Sequence, residues 1–458
     1  MFIRFNVANF LSFDEMQEFS MISGKVRSKM SQIYCDDKIK LLKFAAIFGA
    51  NASGKSNLIS AIDFARHTIL DKLPEGHSLK FNKCSSSNNS RKSYFEFEVK
   101  VNNKFFSYGF ESILANSSIT SEWLVELLSN GNTKEVFVRD IEKGSFDFKD
   151  KYFSKELKKI LNIYANDIKE DDSILFLKLM NQNKDNFYKD NNEASIFSDM
   201  YKWIKYSLDI NYPDRPISNY SYFMTDDNLE EISKIIQAFG TGITNFSIVD
   251  VTLDSIANNI PKKVLQDVIA KLEESHTKKK KNKENIDSTK FLFRSNNKDF
   301  LILEIDDESN IKTKTIKFNH GNQDIFFSLS EESDGTVRLL DLLEILLDKS
   351  SNRTYLIDEV DRCLHPQLTY KFVETFLKLA AKRNIQLVIT THESRLLDFD
   401  LLRRDEIWLV NKNKTGSSKI YSLEEFNTRF DTKIDKAYLD GRYGGTPIFN
   451  TIFPLDKD

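Results

Sequence analysis

The stretch Gly49-Ala50-Asn51-Ala52-Ser53-Gly54-Lys55-Ser56 fits the spacing G-x-x-x-x-G-K-[ST]. Glycines let successive backbone N–H groups curl around an anion, and a helix beginning at the end of the loop adds its partial positive charge. In such a loop Lys55 reaches the β- and γ-phosphates of a nucleotide. Ser56 offers an oxygen to Mg²⁺, and Gly49, Asn51, Ala52, Ser53, Gly54 and Asn57 line the phosphates. The alternative is a chance glycine-rich turn, which the eight-residue match and its flanks argue against.

Three later stretches carry complementary groups. Arg353–Glu359 (RTYLIDE) reads as an apolar strand that delivers Asp358 and Glu359 to its carboxyl end, where α/β sheets bind ligands. There Asp358 suits Mg²⁺, directly or through water, and Glu359 suits the general base that polarises an attacking water. A strand ending in an ordinary polar turn is the plainer reading of these residues alone. Ile385–Thr391 (IQLVITT) reads as a second buried strand, ending at His392, a group able to contact a γ-phosphate and orient water. Ser333 and Gly335 (SLSEESDGTVRLL, Ser328–Leu340) precede an apolar helix, Val337 to Leu347. A helix start there would hold an anion, and Ser333 or Asp334 would equally serve as an N-cap. Both uses share one geometry, and both stay open.

These groups need elements to position them. Lys43–Phe48 (KFAAIF) predicts a short buried strand before the loop, and Asn57–Ile69 an apolar helix after it. Residues 1–22 alternate and predict two strands joined near Asn9–Ser12. Tyr94–Lys100 and Lys104–Phe110 predict a hairpin turning at Asn102-Asn103, with Ser121–Leu128 and Glu135–Arg139 extending the sheet. From about 150 to 285 apolar residues recur at helical spacing: Phe153–Tyr164, Ser173–Met180, Ala194–Leu208, Leu229–Phe239 and Pro261–Glu274. The lysine run Lys278–Lys281 reads as a solvated loop ahead of a DNA contact. Alternating strands return over 291–318, and Pro366–Lys382 fills the helix slot between the acidic strand and the histidine strand.

The chain has 458 residues and a net charge of −3, so no global basic field announces nucleic acid. DNA remains a candidate partner that the charge does not indicate. With 37 Phe against 15 Gly and 7 Pro, the composition favours packed structure over linkers. The three cysteines include no C-x-x-C, which argues against a disulfide framework or a zinc site and fits a reducing cytoplasm. The amino terminus lacks a signal-peptide pattern, and no apolar run approaches the roughly 18 residues of a membrane helix. No internal repeat or sustained heptad is present.

The order P-loop, long insertion, Ser-x-Gly turn, apolar-Asp-Glu and strand-His resembles the ABC-type ATPase heads of the SMC, RecF and RecN group. The long interval from Lys55 to Asp358 argues against a hexameric AAA+ motor, whose acidic strand follows its P-loop closely. Glu332-Ser333-Asp334-Gly335-Thr336 departs from the usual Leu-Ser-Gly-Gly-Gln signature. With Asp358-Glu359-Val360-Asp361 running into Leu364-His365-Pro366, it resembles the RloA-like and OLD-like branch of bacterial defence ATPases, which includes the ATPase subunit of the PARIS anti-phage system. Leu402-Arg403-Arg404-Asp405-Glu406-Ile407-Trp408 and the closing Tyr438-Leu439-Asp440-Gly441-Arg442-Tyr443-Gly444-Gly445-Thr446-Pro447 look like the same branch. The resemblance covers the lobe over 150–285 poorly.

The resemblance implies an α/β fold: a P-loop NTPase with an ABC-type head and an inserted, mainly helical lobe. The expected divisions are 1–140 and 291–410 for the head, 141–290 for the lobe and 411–458 for the tail. It also implies ATP and Mg²⁺ as cofactors, ATP hydrolysis, and a homodimer of heads that sandwiches ATP, with higher oligomers open. In that dimer Ser333 and Gly335 act as the signature on the partner's γ-phosphate, and Asp361 falls in the D-loop. A regulatory role over a separate effector, a TOPRIM-type nuclease, is expected in anti-phage defence, because no nuclease carboxylate cluster is legible. The alternatives are a RecF-type DNA-binding repair ATPase and a purely structural clamp, the last disfavoured by the intact Lys55, Asp358, Glu359 and His392. The Q-loop glutamine has four candidates without context: Gln182, Gln237, Gln266 and Gln323. The tail reads equally as a partner-docking segment and as a segment packed on the core.

Overall fold

A computed structural model describes residues 1–128, 131–149, 152–214, 229–252, 262–281, 289–294, 300–306, 310–322, 325–426 and 434–446. Gln323 and Pro447 lie outside them. The chain forms two compact units. The first comprises Met1–Tyr212, Ser350–Asp361 and Val373–Asp458, and the second Pro213–Lys349 and Arg362–Phe372.

The first unit begins with β1 (Phe2–Ala8) and β2 (Gln17–Ser20), which pair antiparallel, then β3 (Ile33–Cys35), β4 (Lys40–Leu42) and β5 (Phe44–Phe48). Helix α1 (Lys55–Leu70) follows β5. Next come β6 (Ser93–Val101), β7 (Lys104–Ile113), β8 (Ser118–Leu127), β9 (Thr133–Asp140) and β10 (Ser145–Phe148). They build a seven-stranded antiparallel sheet in the order β10-β9-β8-β7-β6-β1-β2. Strict alternation of burial along β6 reflects its one wet face. The hairpin turns at Asn102-Asn103, as the sequence predicts, and both residues take positive φ.

Helices α2 (Lys155–Asp167), α3 (Phe176–Leu179), α4 (Asp185–Asp190) and α5 (Ser195–Lys202) and a π-helical turn, Trp203–Ser207, lead into β11 (Leu208–Asn211). These helices fall inside the first unit, so the boundary expected at 140 lies instead at Tyr212. The reason is aromatic packing. Phe176 and Phe197 contact Phe137 with ring centroids 5.4 and 5.6 Å apart, and Leu157, Leu161 and Ala165 of α2 join the same core. Beneath them Glu122 and Arg139, both fully buried and 3.8 Å apart, tie the sheet to this segment. Glu122 accepts the N–H groups of Phe176 and Leu177, and Arg139 donates to the carbonyl of Ile174.

The second unit holds α6 (Leu229–Ala238), β12 (Asn245–Asp250), α7 (Lys262–Lys281), β13 (Thr289–Arg294), β14 (Phe300–Ile305), β15 (Ile311–Asn319) and α8 (Asp334–Leu347). Its four strands form an antiparallel sheet, β12-β15-β14-β13. Leu265 and Leu272 of α7 pack on Leu301, Leu303 and Ile305 of β14. The region expected to be a helical lobe is thus split, its second part being a helix-backed sheet. Strand β12 has no counterpart in the sequence reading. The run Lys278–Lys281 ends α7 rather than forming a loop.

The remaining strands, β16 (Thr354–Ile357), β17 (Gln386–Thr390), β18 (Ile407–Lys412) and β19 (Ser418–Ser422), complete a six-stranded sheet ordered β11-β16-β17-β5-β18-β19. All its pairings are parallel except β18–β19. Helices α9 (Pro366–Ala380) and α10 (Ile434–Leu439) are the other α-helices among the described residues. Every residue of β5, β16 and β17 is buried, which explains their unbroken apolar character. Among the described residues no helix is long and apolar enough to cross a membrane.

Candidate functional site: the P-loop and the facing strand ends

Parallel pairing brings the carboxyl ends of β5, β16 and β17 side by side, and each carries one expected part of the site. After β5 the P-loop turns into α1. Gly54, the N-cap, has φ of 114°, which L side chains rarely adopt. A Cβ there would stand 2.4 Å from Ser418 Oγ, so the close approach also demands glycine. At Gly49 a Cβ would stand 2.5 Å from Ser53 Oγ and 2.6 Å from the Val410 carbonyl. Ala52 sits at φ 60° and Asn51 beside it is exposed.

Lys55 is buried, and its ammonium donates to the carbonyls of Gly49 at 2.9 Å and Ala50 at 3.2 Å. Its Nζ also lies 3.0 Å from His392 Nε2. Burial draws the Lys55 amine down to about 8, against the carboxylates of Asp358, Asp361 and Glu359 that favour its charge. Burial, then Lys55 itself, lowers His392, which favours a neutral ring able to accept from the ammonium. Ser56 Oγ donates to Asp358 Oδ1 at 3.0 Å, and Thr390 Oγ1 donates to the same oxygen at 2.5 Å. Asp358 is held from behind by its N–H to the Asn211 carbonyl, 2.9 Å.

Glu359 takes φ 46°, an uncommon conformation for a residue with a Cβ. Its N–H donates to Thr390 Oγ1 at 2.8 Å. Strain of this kind persists where surrounding structure imposes it and clusters at functional sites. Asp361 accepts the His392 N–H at 3.3 Å on both carboxylate oxygens, tying the segment expected as a D-loop to the histidine strand.

The residues fit a nucleotide and its metal. Ser53 Oγ is buried with no hydrogen-bond partner, and the first-turn N–H groups of Lys55 and Ser56 have no intrahelical acceptor. Ser56 and Asp358 present two hard oxygens to one point, the donor type that Mg²⁺ takes. Two further residues carried no sequence signal. Ser12 accepts from Asn57 Nδ2 at 2.7 Å, and Ser418 Oγ donates to the Ser53 carbonyl at 2.5 Å. Ser12, in the turn between β1 and β2, braces the first turn of α1, and Ser418 of β19 braces the loop, so only the tertiary fold reveals them.

In the second unit Ser333 is the N-cap of α8, its Oγ accepting the Thr336 N–H at 3.1 Å. The capping reading therefore holds for Ser333 rather than Asp334. Gly335 is required for space, since a Cβ would stand 2.7 Å from the Cys363 carbonyl. In the first unit the closing segment packs on the core. Tyr438 meets Phe48 with ring centroids 6.1 Å apart, and its hydroxyl donates to Gly445 O at 2.9 Å. Arg403, from the stretch before β18, is buried and pairs with Asp405 through Nε at 2.9 Å and Nη2 at 2.7 Å. It also holds Ser23 and the Val26 carbonyl, so this stretch fastens the segment after β2.

A P-loop on the middle of a parallel α/β sheet, with an Asp-Glu pair and a histidine on the neighbouring strand ends, defines a P-loop ATPase. Residues 44–398, most of the chain, match the family described as "AAA domain, putative AbiEii toxin, Type IV TA system", and the chain belongs to that family. No functionally curated protein matches it. Solved structures similar to it include an SMC head bound to the C-winged helix domain of ScpA, at 15% identity over 92% of this chain and 97% of that one, TM-score 0.39. The SMC head domain from Thermotoga maritima gives 15% identity over 92% and 98%, TM-score 0.33. An SMC head with an extended coiled coil, bound to the C-terminal domain of ScpA derived from Pyrococcus furiosus, gives 15% over 93% and 97%, TM-score 0.35.

Proposed function

We propose that this chain binds ATP with Mg²⁺, hydrolyses it, and serves as the regulatory ATPase of a bacterial anti-phage defence system. The observation that carries the catalytic part is the meeting of Lys55, Ser56, Asp358, Glu359 and His392 at one end of the sheet, from three strands far apart in sequence. Lys55 leaves its loop carbonyls to pair with the β- and γ-phosphates. Ser56 and Asp358 hold Mg²⁺, which supplies charge neutralisation when bound. Glu359 accepts the proton of the attacking water, and His392 orients that water against the γ-phosphate.

Two copies close on two ATP molecules, each Ser333-Gly335 turn meeting the γ-phosphate held by the other chain's P-loop. Gain and loss of this contact controls a separate effector, a TOPRIM-type nuclease. The Asp358-Glu359-Val360-Asp361 and Leu364-His365-Pro366 pattern supports the defence setting, as does a family description that names a toxin–antitoxin system. A cytoplasmic location goes with this reading.

The test is phage plating on cells carrying this gene with its genomic neighbours, wild type against Lys55→Ala. Protection that disappears with Lys55→Ala supports the proposal. Unchanged plating, together with DNA-damage sensitivity and DNA binding whose affinity falls with salt, would replace it with a RecF-type repair role.

A further inference from the structure

Strand β17 ends in Leu387-Val388-Ile389-Thr390, and all four residues are fully buried. After three apolar residues a valine would suit the last position by shape and by strand preference. A threonine there buries a hydroxyl, and a buried hydroxyl needs partners. It finds them in the acidic segment that follows β16.

Thr390 holds three consecutive residues of that segment. Its Oγ1 donates to Asp358 Oδ1 at 2.5 Å and accepts the Glu359 N–H at 2.8 Å. Its carbonyl accepts the Val360 N–H at 3.1 Å. A hydroxyl carries one proton, so with the Glu359 N–H donating to Oγ1 that proton goes to the Asp358 carboxylate. The two bonds form a short chain, Glu359 N–H to Thr390 O–H to Asp358, in which each polarises the other. At one end, Glu359 at φ 46° has a backbone that a residue with a Cβ keeps only where its surroundings impose it. The N–H groups of Glu359 and of the residue after it both end on Thr390. At the other end, Asp358 Oδ1 also accepts Ser56 Oγ at 3.0 Å. A cation held by Ser56 and Asp358 would displace that bond, whereas the Thr390 bond can persist and keep the carboxylate aimed.

We propose that Thr390 is a positioning residue for hydrolysis: its one hydroxyl orients the metal ligand Asp358 and fixes the backbone of the base Glu359. This role rests on the reading of Asp358 as metal ligand and Glu359 as base. Thr390 is buried and acts through these two residues. A hydroxyl that merely braced two strand ends would lower stability without separating turnover from ATP affinity.

The experiment compares the full-length wild type with Thr390→Val, Thr390→Ser, Glu359→Gln and the double variant Thr390→Val/Glu359→Gln. Thr390→Val keeps the branched shape and removes the hydroxyl. Its kcat should fall about 10–100-fold, with KM for ATP within a few-fold, and Thr390→Ser should recover most of the loss. At saturating Mg²⁺, Thr390→Val should slow Glu359→Gln much less than it slows wild type, because the base is already gone. Calorimetry of ATP binding at stepped Mg²⁺, in the Glu359→Gln background, reads the metal without turnover. There Thr390→Val should require about 10–100-fold more Mg²⁺ for half-maximal binding. If circular dichroism shows that Thr390→Val does not fold, Thr390→Cys takes its place, and its weakly hydrogen-bonding thiol should give the same losses in smaller measure. Unchanged kcat in the folded Val or Cys variant overturns the role, as does an unchanged Mg²⁺ requirement. So does Thr390→Ser as slow as Thr390→Val, which assigns the effect to packing of the methyl group. Glu359→Gln turning over at the wild-type rate overturns the reading of the base, and this role with it. A slow Glu359→Gln beside an unaffected Thr390→Val overturns this role alone.

Discussion

Lys55 Nζ stands 3.0 Å from His392 Nε2, although 337 residues separate them along the chain. The ammonium that a nucleotide would claim is parked on two loop carbonyls and on the His392 ring, which we propose orients water at the γ-phosphate. Removing either partner should therefore have different consequences. Lys55→Ala deletes charge-assisted hydrogen bonds to phosphate and should weaken Mg–ATP binding roughly 10- to 150-fold in calorimetry. His392→Ala should leave that affinity within a few-fold while turnover falls by about 10²–10³-fold. Equal loss of affinity in both would mean that His392 holds ground-state ATP rather than the reacting arrangement.

Glu359→Gln keeps the shape at a strained φ of 46° and its N–H bond to Thr390, and removes only the proton acceptor. Steady-state hydrolysis should fall by about 10²–10⁴-fold with ATP still bound. Size-exclusion chromatography with ATP should then show an accumulated dimer. Wild-type turnover in this variant would remove Glu359 from the role of base.

Ser56 and Asp358 share one hydrogen bond where a cation would sit. EDTA should abolish hydrolysis and Mg²⁺ restore it, and Asp358→Asn should require more Mg²⁺ for half-maximal turnover. Metal-independent hydrolysis would contradict this placement.

Arg403 and Asp405 form a two-point ion pair, 1% and 3% exposed. Arg403→Ala strands the buried Asp405 carboxylate and frees the segment after β2, and should cost about 3–5 kcal/mol in denaturant unfolding. Arg403→Lys should recover only part of this, since one ammonium cannot reproduce the planar fork. A loss below 1 kcal/mol, the scale of exposed pairs, would mean that water reaches the site.

Gly445 takes φ 73°, and a Cβ built on it would lie 3.6 Å from the Gly49 Cα. Gly445→Val should therefore loosen the closing segment chiefly by backbone strain, of about 1–2 kcal/mol. Limited proteolysis should cut near 434–446 sooner, with the global unfolding midpoint little changed. Unaltered protection would show that Tyr438 on Phe48 suffices to hold the segment.

The P-loop, the Asp358-Glu359 strand end and the strand before His392 are all legible in the chain because each is local. A phosphate-binding turn needs glycines at set offsets, and a buried parallel strand needs an apolar run ending in its functional residue. The hairpin at Asn102-Asn103 is legible for the same reason, a two-residue turn between alternating strands. Helices α2 to α5 are visible as periodic segments, yet not their allegiance. The partner that buries Phe176 and Phe197 is Phe137 on a strand, and nothing in their own spacing names it.

What the sequence determined by itself is therefore the chemistry: an anion-binding loop, two carboxylates at one strand end and a histidine at another. Only the tertiary structure decided that these ends are neighbours, through the order β16-β17-β5 and the crossovers between strands. It also placed Ser12 against α1 and Ser418 behind the loop, put the unit boundary at Tyr212, and set Thr390 against both Asp358 and Glu359. The physical reason is range. Turn geometry and strand burial are written in a few adjacent residues, whereas strand order and side-chain partners follow from packing contacts between segments hundreds of residues apart.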